Sequence, residues 1–189
     1  MKIGERQDTS TAAGLVFMEA PSKMVDMRDK LKTRAELSKL LAERRKKGQR
    51  IVFTNGCFDL LHIGHTRYLQ AARELGDVLV VGVNTDASVR AQKKGDGRPI
   101  VPEAQRAEVL AALAPVDYVV LFEEPDPGRL IAELQPDVLV KGGDWTPDQI
   151  IGRETVEARG GTVRTIPLVP GVSTTDLVKR IKTAKDVNR

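Results

Sequence analysis

The sequence predicts an α/β fold of the doubly wound kind, in which helices cover both faces of a five-stranded parallel sheet, with one further helix on its N-terminal side. Two observations predict it. Five short apolar runs, rich in valine and isoleucine, have the length of buried strands, and helical patterns separate them along the chain. Strands that alternate with helices form βαβ units with right-handed crossovers, and such units build a parallel, Rossmann-like sheet.

The individual elements can be placed along the chain. Thr33, three residues before Glu36, predicts a capping box for a helix over residues 34–47. Strands are predicted at Ile51–Thr54, Val78–Val83, Tyr118–Leu121, Val138–Val140 and Val163–Ile166. A helix is predicted over residues 66–75, and Pro102 is well placed as the first residue of another.

The chain is expected to hold one folded domain. Residues 1–24 show no sustained periodicity and predict a flexible tail, residues 25–49 predict a helical segment, and residues 50–185 hold the alternating pattern. A length of 189 residues is enough for one domain with a substantial core. The hydrophobic fraction of 41% and the charged fraction of 30% are those of an ordinary soluble protein.

The basic pI of about 9.3 does not indicate a nucleic-acid partner. Residues 1–50 hold 13 Lys and Arg against 7 Asp and Glu, whereas residues 51–189 hold 17 against 19, so the basicity belongs to the N-terminal segment. A run such as Arg44-Arg45-Lys46-Lys47 without interleaved aromatic residues is typical of a solvated helix face. No apolar run has the length of a membrane span. A single cysteine suits a reducing compartment, so a cytoplasmic protein is expected.

Residues 51–65 are the most informative stretch of the chain. They read as a buried strand, a turn marked by Asn55-Gly56, and a helix start at which His62 and His65 are three residues apart and share one face. A helix start offers unpaired N–H groups and the positive end of the dipole to an anion. A lone histidine in a turn is usually solvated, but these are the chain's only two histidines. The pattern predicts a phosphate site.

The run from Thr54 to His65, with the sequence TNGCFDLLHIGH, resembles the His-x-Gly-His signature of the nucleotidyltransferase superfamily. Its particular form is most similar to the heptose 1-phosphate adenylyltransferases, which occur alone or as the second half of a bifunctional kinase/adenylyltransferase. The resemblance covers residues 50–183 and implies that 50–185 is a nucleotidyltransferase domain. It implies transfer of AMP from ATP, carried with Mg²⁺, to D-glycero-D-manno-heptose 1-phosphate. The product would be ADP-heptose for lipopolysaccharide or capsule assembly.

The resemblance also implies a set of nucleotide-binding residues. They are Asn55, Gly56, Cys57, Phe58, Gly64, Lys141, Gly142, Asp144, Ser173, Thr174 and Thr175. The stretch from Ser173 to Thr175 is similar to the superfamily's second signature, with Val172 in place of isoleucine, and the same residues are plausible helix caps. Gly142-Gly143 is either a simple turn or a place where backbone approaches a base or ribose.

Four residues are implied as catalytic, namely His62, His65, Lys94 and Arg106. Lys94 matches the lysine before the Gly-x-Gly-Arg-Pro stretch of the heptose enzymes, but the adjacent Lys93 leaves the register open, and a solvated loop is the alternative. In the family the arginine that follows this stretch reaches a phosphate. Arg106 is otherwise expected on the surface.

Weaker substrate contacts are implied for Asp59, Asn84 and Trp145. Asp59 could bind a metal, although a turn aspartate more often bonds its own backbone. No cluster has metal-ligand spacing, so Mg²⁺ is expected to arrive with ATP. Cys57 is interpreted as a small packing residue whose backbone touches nucleotide, and not as a nucleophile, because the resemblance implies no covalent cysteine intermediate.

The reaction implied needs no general base, because an acceptor phosphate is already an anion and can attack the α-phosphorus in line. Three alternatives stay open: a cytidylyltransferase that uses CTP and glycerol 3-phosphate or a similar alcohol phosphate, a non-catalytic nucleotide-binding regulator, and a synthetase fragment. A homodimer is also left open. The leucines of the N-terminal helix, Leu37, Leu40 and Leu41, could pack on their own domain or on a second subunit.

Overall fold

The computed structural model describes residues 26–92, 97–143 and 145–186. The predicted tail at 1–24 and the predicted site residues Lys93, Lys94 and Asp144 lie outside these ranges. The helices are α1 (Arg34–Lys46), α2 (Ile63–Arg73), α3 (Asp86–Ala91), α4 (Glu103–Ala111), α5 (Gly128–Leu134), α6 (Arg153–Glu157) and α7 (Thr174–Asp186), with 3₁₀ turns at Met27–Lys30 and Pro147–Gln149. The strands are β1 (Ile51–Gly56), β2 (Val78–Asn84), β3 (Tyr118–Phe122), β4 (Val138–Gly142) and β5 (Thr162–Ile166).

The five strands form one parallel sheet in the order β3-β2-β1-β4-β5, which confirms the predicted fold class. Each predicted strand lies within two residues of an observed one. At the centre of the sheet, β1 pairs with β2 on one side and with β4 on the other, so the winding reverses between β1 and β4. Ligands of doubly wound sheets bind at such a switch point, outside the carboxyl ends of the strands.

Successive residues of each strand enter opposite cores. Ile51 and Phe53 pack with side chains of α1, α5 and α6, whereas Val52 between them packs with α2 and α4. Both faces of the sheet are therefore covered, which is why strands β1 to β4 begin with continuous apolar runs rather than alternating ones. Within the described part of the chain, no helix combines the length and the apolar character needed to cross a bilayer.

The N-terminal helix α1 is fixed to this domain. Its predicted capping box is confirmed, because the Thr33 N–H donates to the Glu36 carboxylate at 2.8 Å and the Glu36 N–H donates to Thr33 Oγ1 at 3.3 Å. Leu37 and Leu41 are buried in the core of their own chain, and Leu40 packs partly against it. Of the two positions left open for these leucines, the structure shows packing on their own domain.

Two helix starts differ from the prediction. The second helix begins at Ile63 rather than Thr66, and His62 stands before it as the N-cap with extended backbone angles (φ −143°, ψ 171°). His62 therefore does not belong to the first helical turn. Pro102 is likewise the N-cap of α4 and not its first residue, since its ψ of 147° is not helical.

Candidate active site

A cleft with a volume of about 730 Å³ opens at the carboxyl ends of the strands, at the switch point of the sheet. It brings together most of the predicted site residues that the structure describes. They are Asn55, Gly56, Cys57, Phe58, His62, Gly64, His65, Asn84, Lys141, Gly142, Trp145, Ser173, Thr174 and Thr175.

The two histidines form one unit at the start of α2. The backbone N–H of His62 donates to Nδ1 of His65 over 3.4 Å, and the two rings stack with centroids 3.9 Å apart and planes inclined by 25°. A neutral imidazole whose Nδ1 accepts a hydrogen bond carries its proton on Nε2. His65 is thus set to donate through Nε2–H.

The surroundings of both rings disfavour the imidazolium form. Burial, together with the neighbouring charge of His62, lowers the pKa of His65 to about 4. Burial also lowers the pKa of His62. Both rings are therefore neutral at pH 7, and a negatively charged ligand beside them would raise both pKa values again.

Gly64 allows the His62 ring to lie close against the start of α2. A Cβ at this position would lie 2.9 Å from both Nδ1 and Cε1 of His62, and 3.8 Å from the carbonyl oxygen of Val172. The first distance is shorter than real Cβ contacts allow, so the glycine is required by the position of the His62 ring. The second distance shows that the start of α2 faces the segment that leads into α7.

The loop between β1 and α2 has an unusual backbone. Phe58 and Leu60 both adopt left-handed conformations, with φ of 49° and 58°, which are rare for bulky side chains and are found most often at functional sites. The Phe58 ring lies 5.5 Å from that of His65. The Thr174 hydroxyl donates to the carbonyl oxygen of Asp59 at 2.9 Å, which ties this loop to the start of α7.

The start of α7 is capped by its own residues. Ser173 Oγ accepts the N–H of Asp176 at 3.1 Å and donates to its carboxylate at 2.7 Å. Ser173 therefore caps α7 and also lines the cleft, as Thr174 and Thr175 do. The first turn of this 13-residue helix presents its positive end there.

Lys141 and Trp145 lie on the β4 side of the cleft. The Lys141 ammonium group donates to Oδ1 of Asn55 and lies 5.8 Å from the centre of the Trp145 ring. Gly143 permits a close approach, but to protein, since a Cβ there would lie 3.2 Å from Cα of Pro167. Trp145 is 43% exposed, which leaves much of its indole open to a ligand.

Arg106 has a different position from the one that the sequence suggested. It is only 2% exposed, and its guanidinium donates to the carbonyl oxygens of Val101 (2.9 Å), Cys57 (2.5 Å) and Asn84 (2.8 Å). It also pairs with the Asp86 carboxylate at 2.7 Å. Arg106 is therefore a buried brace that joins the loops beneath the cleft, neither a surface residue nor a side chain that lines the cleft.

Asp59 is also used within the protein. Its carboxylate accepts the backbone N–H groups of Ile100 and Val101, both at 2.9 Å, and lies 2.6 Å from Nε of Arg98 in an ion pair. The Asp59 carboxylate therefore does not make the predicted substrate contact. It also does not bond the backbone of its own turn, as a turn aspartate usually does, but binds the segment from Arg98 to Val101. Among the described residues, no group of three or more His, Cys, Asp and Glu side chains is arranged to hold a metal ion.

Several residues of the cleft escaped the sequence analysis. They include Tyr68, Gln92, Pro125, Asp126, Ile151 and Leu168. The Pro125-Asp126-Pro127 loop follows β3, and the position of a loop after a strand is the signal that could have found it. Tyr68 is held by a 2.7 Å hydrogen bond between its hydroxyl and Thr54 Oγ1, which no local pattern indicates.

Comparison with known proteins identifies the family. The model of the family described as cytidylyltransferase-like matches residues 53–180, a range that includes the histidine loop, the sheet and the start of α7. The chain belongs to the cytidylyltransferase-like family. The predicted membership of the nucleotidyltransferase superfamily is confirmed, and the protein is a nucleotidyltransferase.

Its relatives include longer proteins called bifunctional protein HldE. The one from Geotalea uraniireducens is 48% identical over 181 residues, which cover 96% of this chain and 37% of the relative. The one from Pelobacter propionicus is 54% identical over 174 residues, which cover 92% of this chain and 36% of the relative. The chain thus spans little more than a third of these relatives.

Solved structures show the same fold. A lipopolysaccharide core biosynthesis protein from Thermoplasma volcanium has 33% identity and a TM-score of 0.54 over 65% of this chain and 98% of its own. A protein of unknown function from Archaeoglobus fulgidus has a TM-score of 0.51 over 66% of this chain and 93% of its own. With 20% identity, the second likeness bears on the fold alone.

Proposed function

We propose that this nucleotidyltransferase transfers AMP from ATP to a heptose 1-phosphate and releases pyrophosphate. The observation that carries the proposal is that two neighbouring helix starts, both suited to phosphate, line one cleft. One is the start of α2 with the stacked neutral imidazoles of His62 and His65, and the other is the N-terminal turn of α7. Hydrogen-bond donors from two helix starts suit a polyphosphate chain.

The β4–β5 side of the cleft suits the base. Trp145 is 43% exposed and Leu168 is 58% exposed, and both line the cleft together with Val169. Large apolar side chains left open inside a cleft favour a flat, weakly polar ligand, and an indole favours a stacked aromatic ring. An adenine placed there would direct its triphosphate toward the two histidines.

In the proposed reaction, an oxygen of the acceptor phosphate attacks the α-phosphorus of ATP. A new phosphorus–oxygen bond forms while the bond to the bridging oxygen breaks, and pyrophosphate leaves with that electron pair. Nε2–H of His65 and the imidazole of His62 donate to phosphate oxygens as negative charge is redistributed, and the Lys141 ammonium adds a positive charge at the end of β4. Because the acceptor is an anion, the protein supplies positioning and charge stabilisation rather than a base.

Mg²⁺ enters this scheme as part of the substrate. The Asp59 carboxylate is already bonded to Ile100, Val101 and Arg98, so it does not offer a vacant metal ligand. A magnesium ion that keeps its waters and is bound through phosphate oxygens needs few protein ligands. The reactants are then small molecules, MgATP and a sugar phosphate, and a cytoplasmic location and a role in ADP-heptose supply for lipopolysaccharide are part of the proposal.

The choice of ATP and heptose 1-phosphate is supported by the resemblance of the sequence Lys141-Gly142-Gly143-Asp144-Trp145 to the heptose adenylyltransferases. The long relatives named bifunctional protein HldE, which are 48% and 54% identical to this chain, agree with this choice. The resemblance implies that heptose adenylyltransferases also occur fused to a kinase. The alternative is a cytidylyltransferase that uses CTP and glycerol 3-phosphate, which the description of the matched family favours.

A matrix of two nucleotides and two acceptors separates these functions. ATP and CTP are each combined with heptose 1-phosphate and with glycerol 3-phosphate, pyrophosphate release is measured, and the nucleotide-linked product is identified by mass. We expect turnover with ATP and heptose 1-phosphate. Turnover with CTP and glycerol 3-phosphate alone would establish the alternative, and ATP binding without turnover of any acceptor would indicate a regulator.

A further inference from the structure

The cleft has a second end that the nucleotide proposal does not use. It lies outside the carboxyl ends of β2 and β3 and is lined by Cys57, Asn84, Gln92 and the Pro125–Pro127 loop. Asn84, Gln92 and Asp126 give this end polar side chains, in contrast to the apolar side chains on the β4–β5 side. The two ends of the cleft therefore suit ligands of different chemistry.

The orientation of the Asn84 amide is fixed by a chain of hydrogen bonds. Ser88 Oγ donates to the carbonyl oxygen of Glu124 at 2.9 Å, so its lone pairs are left to accept. The Asn84 Nδ2 group donates to this oxygen, also at 2.9 Å. The amide oxygen Oδ1 consequently points away from Ser88, and it lies 4.0 Å from Sγ of Cys57.

The Gln92 amide is oriented in the same way. Its Nε2 group donates to the carbonyl oxygen of Pro125 at 3.4 Å, and a carbonyl oxygen can only accept. Its Oε1 lies 3.8 Å from Sγ of Cys57. The NH₂ groups of Asn84 and Gln92 are thus used by protein oxygens. Both amide oxygens lie within hydrogen-bonding reach of the Cys57 thiol, whose single S–H can donate to only one of them at a time, so acceptor capacity is left on this wall of the cleft.

Asp126 adds a third acceptor group to this wall. One carboxylate oxygen, Oδ1, accepts the N–H of Gly128 at 2.8 Å, and the side chain is exposed at the rim of the cleft. The loop that carries it is held from outside by Arg34 of α1, whose Nη1 donates to Glu124 Oε1 at 2.7 Å. The acceptor groups therefore sit on a braced wall before any ligand arrives.

A wall of acceptor oxygens with one negative charge selects a ligand that donates. A phosphate offers only acceptors and a like charge, so it is disfavoured here, whereas the hydroxyl groups of a sugar donate well to amide and carboxylate oxygens. We propose that this end of the cleft binds the hydroxyl groups of the acceptor's sugar, and that Gln92 and Asp126 determine its specificity. This inference rests on the proposed function, and it adds the part of the site that recognises the acceptor.

The test separates the acceptor from the nucleotide. In Gln92→Met the length of the side chain is kept without its amide, and in Asp126→Asn the amide oxygen still accepts the Gly128 N–H. We expect each variant to raise KM for heptose 1-phosphate about tenfold, the effect of one lost hydrogen bond of typical strength. KM for ATP and kcat should stay near wild-type values. Gln70→Met on α2 and Asp29→Asn near the N-terminal end, both exposed, are matched controls.

Each result either supports or overturns the assignment. An unchanged KM for the acceptor, or equal increases of KM for both substrates, would overturn it. If wild-type protein turns over only CTP and glycerol 3-phosphate, the proposed function fails, and the same variants are assayed with that polyol phosphate. A raised KM for glycerol 3-phosphate alone would then support the hydroxyl-binding wall, and an unchanged one would overturn it. If neither acceptor is turned over or bound in calorimetry beside α,β-methylene-ATP, both proposals are wrong.

Discussion

The backbone N–H of His62 donates to Nδ1 of His65, and the two rings stack at 3.9 Å. The hydrogen bond determines which nitrogen of His65 is protonated. The stacking brings the His62 ring so close that an imidazolium on His62 and one on His65 would repel each other. Two imidazoles at this distance cannot both be charged without cost, so the pair favours the neutral donor form. The site can then bind an anion without holding a fixed positive charge of its own on either ring.

The ionisation of this pair can be followed directly, because the chain has only two histidines. We expect the ¹H NMR signals of the His65 ring to titrate near pH 4 in the free protein, and those of His62 below its ordinary range. Saturating MgATP should raise both values, since phosphate stabilises the imidazolium. His62→Asn assigns the two signals, and ordinary values near 6.5 in the free protein would contradict the buried, stacked arrangement.

The same shift predicts how stability depends on pH. The pKa of His65 is lowered in the folded state, so the unfolded chain binds the proton more readily. The contribution of this residue to stability should be fully present above the unfolded pKa of about 6.5 and be lost as the pH falls toward about 4. Urea unfolding at several pH values should show a steeper loss over this window in wild type than in His65→Gln. Parallel curves would contradict the prediction.

His65→Ala tests the catalytic role of the ring. Removal of one hydrogen-bond donor from a developing charge typically costs about 10²–10³ in kcat. The fold should be little affected, because the ring is only partly buried and its removal leaves α2 intact. Pyrophosphate release gives the rate and circular dichroism reports the fold, with exposed Thr66→Ala as the control on the same helix. Near-normal turnover would remove His65 from the mechanism.

Gly64→Ala should separate activity from stability. The added Cβ would lie 2.9 Å from the His62 imidazole, and that ring can rotate away, so the change displaces a proposed catalytic group. Alanine within a helix is favoured over glycine by about 0.5–1 kcal/mol, so the free energy of unfolding should not fall. We expect turnover to drop at least about tenfold, as for loss of one aligned donor. In a His62→Ala background the same substitution should have little further effect, and additive losses would show that Gly64 acts by another route.

The ion pair between Arg34 of α1 and Glu124 in the loop after β3 should stabilise the fold less as the pH falls. The hydrogen bond and ion pair with Arg34 lower the pKa of Glu124 to about 2 in the folded state. The pair therefore contributes fully to stability above the unfolded pKa of Glu124, near 4.5, and this contribution is lost as the pH falls toward 2. Glu124→Gln should therefore be less stable than wild type at pH 7, by about 1 kcal/mol for a partly exposed pair, and nearly equal to it at pH 2. Denaturant unfolding at both pH values measures this. A constant difference would contradict it.

Much of the fold could be predicted from the sequence, because both faces of the sheet are covered and strands β1 to β4 each begin with a continuous apolar run. The histidine loop was equally visible, since its residues are adjacent in the chain. The predicted start of α2 was wrong because histidine is not one of the residues that usually cap a helix. The extended backbone that makes His62 the N-cap is not visible in the sequence. Sequence patterns therefore predicted the strands and the histidine loop, because each of these is formed by residues that are neighbours in the chain.

The parts of the site that depend on distant segments could not be predicted. Arg106 lies beneath the cleft because the carbonyl groups of Cys57, just after β1, and Asn84, the last residue of β2, converge on its guanidinium. Asp59 is turned inward by backbone N–H groups some forty positions along the chain. No periodicity encodes such convergence, and a charged residue on a helix is expected at the surface until its partners are known.

Arg106→Met decides between a brace and a phosphate contact. Methionine keeps much of the apolar stem but removes a buried guanidinium that has four partners, and it leaves the Asp86 carboxylate without its 2.7 Å ion pair. Breaking a buried charge pair in this way costs about 3–5 kcal/mol, so the unfolding midpoint should fall sharply. The exposed Arg90→Met on α3 is the matched control and should change little. ATP affinity, measured by calorimetry below the unfolding transition, should change only moderately. A variant of wild-type stability with lost ATP binding would instead make Arg106 a ligand of the phosphates.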